Sequence, residues 1–234
     1  MIAISDIQTN YGNSMAIIIL CCRIYFKMAE ISDLNSFIDN NISIDWADCI
    51  KTCRKHQIRP VVYLILLKAT IPEETKKRLK NELNTLTLRS FEQAKETERL
   101  ILLLQENSIN IIPYKGTAFS KQFFRNISMR ESSDIDLIIN PDDIPKAIKV
   151  LENEGFLAYQ KKYYNWIGHK NFIKNHKDFS FDKFSGTKRV HHVELHFNII
   201  NKFTHLPDHF NTFDTNQLNK ILLFQKEINC LVFF

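Results

Sequence analysis

Two aspartates one residue apart stand at the head of an apolar segment, "SSDIDLIIN" at residues 132–140. Side chains alternate between the two faces of a strand, so Asp134 and Asp136 share one face, while Ile135, Leu137 and Ile139 share the other. The carboxylates repel each other and are costly to bury unpaired, so their spacing predicts a cation between them. If the repulsion dominates, Asp136→Asn should leave the metal-free protein equally stable or more stable.

A second strand pattern with one polar face occurs at "HHVELHFN", residues 191–198. His192, Glu194 and His196 fall on one face and alternate with apolar residues. Glu194 is then a third carboxylate that holds one or two Mg²⁺ ions together with Asp134 and Asp136. Alternatively, His192, Glu194 and His196 bind zinc or iron directly, because imidazole and carboxylate suit those metals. A solvent-facing edge strand without chemistry explains the same pattern.

A glycine lies between a predicted strand and a predicted helix just upstream of the aspartates. The segment "INIIPYKG" favours a short strand that ends at Gly116, and "TAFSKQFFRN" favours a short helix. The first turn of a helix has unpaired backbone N–H groups that can receive phosphate. This junction is therefore a candidate phosphate-binding turn.

The elements that must position these residues form two successive patterns. Residues from about 14 to 105 have helical periodicity, with Asp45 as an N-cap and Pro72 before a long helix. From about residue 108, strands alternate with helices, and a run of strand-like segments follows: "FLAYQKKYY", "KNFIKN", "DFSFDKF" and "RVHHVELHFNII". The pattern predicts an α+β fold with a helical region at 1–107, a small mixed-sheet core at 108–202 and a C-terminal tail at 203–234.

The composition is that of a globular protein, with 44% hydrophobic and 24% charged residues in 234. A net charge of +5 suits an anionic ligand such as a nucleotide, but it does not by itself indicate a nucleic-acid-binding protein. The apolar segment "MAIIILCC" is too short to span a membrane and predicts a buried helix. The five cysteines match no zinc ribbon or disulfide framework, which predicts reduced thiols in a cytoplasmic protein.

Four segments, in order, resemble the uncharacterised nucleotidyltransferase family within the polymerase-beta-type nucleotidyltransferase superfamily: "YKGTAF", "RESSDIDLIIN", "LENEGF" and "VELHFNI". Members of that family show a Lys-Gly pair, an Arg followed by Asp-x-Asp, a Gly-aromatic pair after the next helix, and a carboxylate-Leu-His-aromatic strand. The segment "IDWADCIKTCRKHQIRPVV" resembles the leading segment of the family. The Gly-Ser phosphate loop that is usual in the superfamily is replaced here by Lys-Gly-Thr.

This resemblance implies a transferase that moves a nucleotidyl group from an NTP to an acceptor hydroxyl with Mg²⁺. It implies that Asp134, Asp136 and Glu194 are catalytic residues that hold the metal, with Glu194 also a candidate base toward the hydroxyl. It further implies nucleotide-binding roles for five residues: Lys115, Gly116, Thr117, Arg130 and Ser133.

Two further expectations concern the identity of the acceptor and the packing of the C-terminal end. We expect a small molecule, peptide or protein as acceptor rather than a nucleic acid. The apolar end "LLFQKEINCLVFF" suggests a chain shortened relative to the family, and we expect this end to pack loosely or to mediate self-association. A non-catalytic relative that binds a nucleotide or a partner protein is the alternative to the enzyme.

Overall fold

A computed structural model describes residues 2–41, 43–198 and 218–231 of this chain. The fold is α+β, as the sequence predicts. The chain forms two compact units, one of Met1–Arg89 with Ser128–Glu131 and one of Ser90–Ile127 with Ser132–Phe234. The longest described helix belongs partly to each unit. The division into these units therefore does not decide whether a domain boundary lies between residues 107 and 108.

The first unit is helical. Its core consists of apolar side chains and buried thiols, among them Ile17, Cys21, Cys49, Cys53 and Leu66. All five cysteines of the chain are free thiols, and the "MAIIILCC" segment forms part of a buried helix, as predicted. Among the described residues, no helix has the length and apolar character needed to cross a membrane. The helices are α1 (Ile4–Tyr25, kinked at Gly12), α2 (Ile31–Asp39), α3 (Trp46–Lys55), α4 (Arg59–Leu66) and the first part of α5 (Glu73–Glu106).

Local sequence signals fix several of these helix ends. The Asp45 side chain accepts a hydrogen bond from the backbone N–H of Asp48, which confirms the predicted N-cap of α3. Helix α5 begins directly after Pro72, where Glu73 and Glu74 suit the positive end of the helix dipole. Both signals act within one turn of the chain.

The second unit is built on a five-stranded sheet with the strand order β1-β2-β5-β4-β3. In this sheet β2 and β5 are parallel, and the other neighbouring strands are antiparallel. The register places Asp136 of β2 opposite Glu194 of β5. The strands are β1 (Ile111–Pro113), β2 (Ile135–Ile139), β3 (Leu157–Ala158), β4 (Asp178–Ser185) and β5 (Lys188–His196).

One face of this sheet packs into the core, as the alternation predicts. Ile135, Leu137 and Ile139 of β2 are buried with Val193 and Leu195 of β5. The second part of α5 and four further helices belong to this unit. The four are α6 (Gly116–Phe124), α7 (Ile144–Asn153, after a 3-10 turn at Pro141–Asp143), α8 (Lys161–Ile167) and α9 (His169–Asn175). The opposite sheet face carries the polar residues of β2, β4 and β5.

Two of the segments expected to be strands are helical. The segment "KNFIKN" lies in α9, and of "FLAYQKKYY" only Leu157–Ala158 is a strand before α8 begins. Tyr164 and Phe172 are buried against Phe179 of β4. Aromatic residues favour strands only where they pack on a sheet surface, and here that packing is reached from two short helices.

The C-terminal hairpin consists of β6 (Leu218–Leu222) and β7 (Glu227–Leu231). Leu223, Ile228 and Cys230 are buried, so the expectation of loose packing is wrong for these side chains. The Glu98 carboxylate accepts hydrogen bonds from three consecutive backbone N–H groups of the turn, those of residues 224, 225 and 226. Self-association stays a prediction, and residues 203–217 and 232–234 of the predicted tail lie outside the described residues.

Candidate metal and nucleotide site

The parallel register of β2 and β5 brings two carboxylates side by side on the polar face of the sheet. Asp136 and Glu194 are direct partners across the two strands. The Asp136 side chain is 9% exposed and that of Glu194 is 24% exposed. Like charges at such positions destabilise a sheet unless a cation compensates them. The structure thus brings together two of the three predicted carboxylates.

A histidine lies between these two carboxylates. The Nε2 atom of His196 is 2.9 Å from Oδ1 of Asp136 and 3.2 Å from Oε2 of Glu194. The His196 ring is buried. One ligand atom from each of the three residues lies within 4.8 Å of the others, a spacing at which they can hold a metal ion. Sequence reasoning placed His196 in the zinc or iron alternative and not beside Asp136.

The protonation states follow from these contacts. Burial opposes protonation of His196, but hydrogen bonds to Asp136 and Glu194 raise its pKa above the usual value. The hydrogen bond from His196 lowers the pKa of Glu194 to about 2, although burial acts in the opposite direction. These contacts therefore favour protonation of His196 beside the two carboxylates in the metal-free protein.

Lys115 brings a second cation to Asp136 from the junction of β1 and α6. Its Nζ atom is 3.4 Å from Oδ1 of Asp136 and 4.7 Å from the ring centroid of Tyr114. The backbone N–H of Tyr114 donates to the Asp136 carbonyl at 3.0 Å. The Tyr114 ring meets the His196 ring edge-on, with centroids 5.5 Å apart. These contacts hold the junction beside the carboxylates.

Gly116 allows a close approach at the start of α6. Its φ of +62° lies in the left-handed region, and a Cβ atom there would be 3.3 Å from both the Asp134 carbonyl oxygen and the Ser132 hydroxyl oxygen. A side chain would crowd the segment that leads into β2. Helix α6 therefore begins directly against that segment, and its first-turn N–H groups and dipole favour an anion there.

The other predicted site residues are placed differently. Asp134 is half-buried directly before β2, and among the described residues the group that can hold a metal does not include it. Thr117 is 3% exposed, which leaves little room for its hydroxyl to contact a ligand, whereas Ser133 is exposed. Arg130 belongs to the first unit. The assigned roles of these four residues stay predictions.

Strand β4 adds polar residues to the same face that sequence reasoning missed. Asp182 is buried and forms a hydrogen bond with Nδ1 of His192, whose Nε2 is 3.5 Å from Oε1 of Glu194. Asp178 lies 3.9 Å from Nδ1 of His196. The signal was present, because Asp178 and Asp182 alternate with buried phenylalanines in "DFSFDKF" as the aspartates do in β2.

Comparison with known proteins bears on this geometry. A family model described as an uncharacterised nucleotidyltransferase matches residues 43–231. No curated protein and no solved structure matches the chain. The matched range contains β2, β5 and the junction of β1 with α6.

Proposed function

We propose, because the chain belongs to the uncharacterised nucleotidyltransferase family, that it transfers a nucleotidyl group from an NTP to an acceptor hydroxyl with the help of a divalent cation. One observation carries this proposal: Asp136 and Glu194 are paired in register on adjacent parallel strands, next to a glycine junction that opens a helix. Such a site offers both metal ligands and a phosphate-binding turn.

The donor set fits a divalent cation. Two carboxylates and an imidazole lie within reach of one ion, and Asp134 lies directly before β2, the strand that carries Asp136. Carboxylate oxygens suit Mg²⁺, the ion that the sequence predicts, and an imidazole also suits Mn²⁺ or Zn²⁺. When bound, the cation would neutralise phosphate charge and stabilise the leaving pyrophosphate.

The chain's own residues position the triphosphate. Lys115, whose partly exposed side chain lies beside Asp136, would pair with a phosphate oxygen of the nucleotide. The first turn of α6 presents backbone N–H groups beside it. Phosphoryl-type transfer depends mainly on positioning and charge neutralisation, and these groups supply both.

Glu194 acts as a ligand in this proposal and not as the base toward the acceptor. Its pKa of about 2 makes it a weak proton acceptor at neutral pH. The same low pKa keeps the carboxylate ionised and ready for a cation. We therefore assign Glu194 to metal binding alone.

The test is transfer of label from each labelled NTP to components of a cell extract, with Mg²⁺, Mn²⁺ or Zn²⁺ added separately. We expect transfer with wild-type protein that is lost in Asp136→Asn. The matched control is Asp142→Asn, an exposed carboxylate of the same unit that should leave transfer unchanged. Equal transfer by both variants would refute the assignment, and the absence of turnover with every NTP and metal would favour a non-catalytic nucleotide- or partner-binding relative.

A zinc or iron enzyme is the second candidate, and the orientation of His192 favours it. Asp182 binds Nδ1 of His192, which leaves Nε2 directed toward Glu194. Metal-ligating histidines commonly bind a carboxylate through the other ring nitrogen in this way. Metal analysis of the purified protein distinguishes the two, because stoichiometric zinc or iron that survives dialysis contradicts an exchangeable Mg²⁺ site.

A further inference from the structure

The net positive charge of the chain comes from one segment, residues 155–177. This segment contains five lysines and no aspartate or glutamate: Lys161, Lys162, Lys170, Lys174 and Lys177. Of the 31 lysines and arginines in the chain, 31 less 5 leaves 26, which equals the 26 acidic residues. The rest of the chain is therefore neutral, and the excess charge of +5 is local.

The two helices of this segment, α8 and α9, are anchored in the core of the second unit. Gly168, with a φ of +79°, turns the chain between α8 and α9. Tyr164 and Phe172 anchor the two helices in the core. The Tyr164 hydroxyl and Nδ1 of His169 are 2.9 Å apart, which joins the helices to each other. The exposed side chains of α8 and α9 therefore lie on helices whose opposite side packs into the core.

Three large aromatic rings of this segment face solvent. Trp166 is 80% exposed, Tyr159 is 60% exposed and Tyr163 is 43% exposed. Trp166 and Tyr163 lie one helical turn apart, with ring centroids 5.9 Å apart, and Tyr163 meets the edge of His176. The neighbouring exposed rings of Tyr163 and Trp166, with exposed Tyr159 in the same segment, indicate a binding surface.

Two of the five lysines form ion pairs, and the other three are exposed. Lys161 pairs with Glu152 and Lys177 pairs with Asp178. Lys162, Lys170 and Lys174 are exposed, and Lys170 and Lys174 lie four residues apart on α9. Like charges at that spacing destabilise a helix slightly, so this pair is not explained by helix stability.

We propose that this surface binds single-stranded nucleic acid. We call it the aromatic–lysine surface and define it by six residues: Tyr159, Lys162, Tyr163, Trp166, Lys170 and Lys174. Unpaired bases stack on exposed aromatic rings, and the exposed lysines of the same segment neutralise the phosphates of the strand. An acidic peptide matches the lysines but offers no row of flat rings to stack. A lipid surface favours an unbroken apolar face, whereas Asn165 and the lysines interrupt this one.

This proposal departs from our sequence-based expectation about the acceptor, and it does not rest on nucleotidyl transfer. Basic residues are spread along the whole chain, so their distribution alone does not show that acidic residues are absent from residues 155–177. The surface lies in the same unit as the carboxylate site. Binding is nevertheless measured without NTP or metal, so the two proposals can fail separately.

The first experiment measures fluorescence anisotropy of short labelled oligothymidylate and oligouridylate with the full chain. We expect Trp166→Ala to weaken binding by about 5- to 150-fold, because stacking of one base contributes about 1–3 kcal/mol. The control is Tyr11→Ala, since Tyr11 is 72% exposed but lies in the first unit. Equal affinity of wild type and Trp166→Ala, or an equal loss in Tyr11→Ala, overturns the proposal.

The second experiment separates nucleic acid from other polyanions. The logarithm of affinity should fall with the logarithm of salt concentration, and the double variant Lys170→Gln, Lys174→Gln should reduce that slope by about 1.4. Lys80→Gln, an exposed lysine of the first unit, should leave it unchanged. Polyglutamate or anionic vesicles that bind as tightly as the oligonucleotide would overturn the proposal in favour of a protein or a membrane.

Discussion

The substitution Asp136→Asn tests the candidate site most directly, because it removes one charge and preserves the shape of the side chain. The sequence predicts unchanged or increased stability without metal, since it shows only the neighbouring carboxylate Asp134. The structure predicts the opposite effect, a loss of stability without metal. Oδ1 of Asp136 accepts a hydrogen bond from His196 and lies 3.4 Å from Lys115, so two cationic groups lose a buried partner.

The magnitude follows from these contacts. A hydrogen bond to a charged group contributes about 1.5–3 kcal/mol. The contact with Lys115 adds little, because that side chain is 37% exposed and screened by solvent. Relief of repulsion from Glu194 offsets part of the loss. We expect a net destabilisation of about 1–2 kcal/mol, which corresponds to a decrease in Tm of about 2–8 °C for a chain of this size.

The assay is thermal unfolding in the presence of a chelator at about pH 6, combined with transfer activity and Mn²⁺ binding on the same preparation. The pKa of His196 is raised in the folded protein, so its contribution is complete below the unfolded value and is lost as the pH rises through the folded value. Transfer should fall by at least about 100-fold, because outer-shell partners alone cost 10- to 100-fold.

A double-mutant cycle of Asp136→Asn with His196→Gln isolates the contact itself. We expect a coupling energy of about 1–2 kcal/mol between the two side chains. The exposed variant Asp142→Asn should change neither Tm nor transfer. A Tm of Asp136→Asn at or above that of wild type, together with no coupling to His196, would refute the reasoning that His196 compensates this carboxylate.

Three further predictions concern the elements around the site. Gly116→Ala should destabilise the protein by about 1–2 kcal/mol more than Gly186→Ala, because both glycines have φ near +60° but only the Cβ at 116 meets neighbouring atoms; equal shifts in Tm would count against close packing at 116. Glu98→Ala should cost at least about 2 kcal/mol and increase hydrogen exchange in the C-terminal hairpin, and exchange as slow as in wild type would exclude the capping role. Burial raises the pKa of Glu96, but the hydrogen bonds and charge of Arg99 outweigh it, so the pKa is lowered. The stability difference of about 1 kcal/mol between wild type and Glu96→Gln should therefore be present above the unfolded pKa of a glutamate, about 4.3, and be lost as the pH falls through the lower folded value, and a difference that is independent of pH would contradict this.

Sequence alone predicts features that depend on neighbours within a few residues. The alternation in β2 and β5 gives the buried face of each strand correctly, and Asp45 correctly marks the start of α3. These signals succeed because strand pleat and helix capping are local properties of the backbone. The family resemblance, which rests on short motifs in a fixed order, is confirmed by the matching family model.

Tertiary structure decides which groups face Asp136 and what α8 and α9 become. His196 is 60 residues away from Asp136 in the chain, and its position depends on the parallel register of β2 with β5. Asp178 and Asp182 join the same face only because β4 pairs with β5. The helices α8 and α9 replace expected strands because Tyr164 and Phe172 reach the core from that direction. Each of these outcomes depends on pairing and packing between distant segments, and the free energy of such contacts has no counterpart in the local sequence pattern.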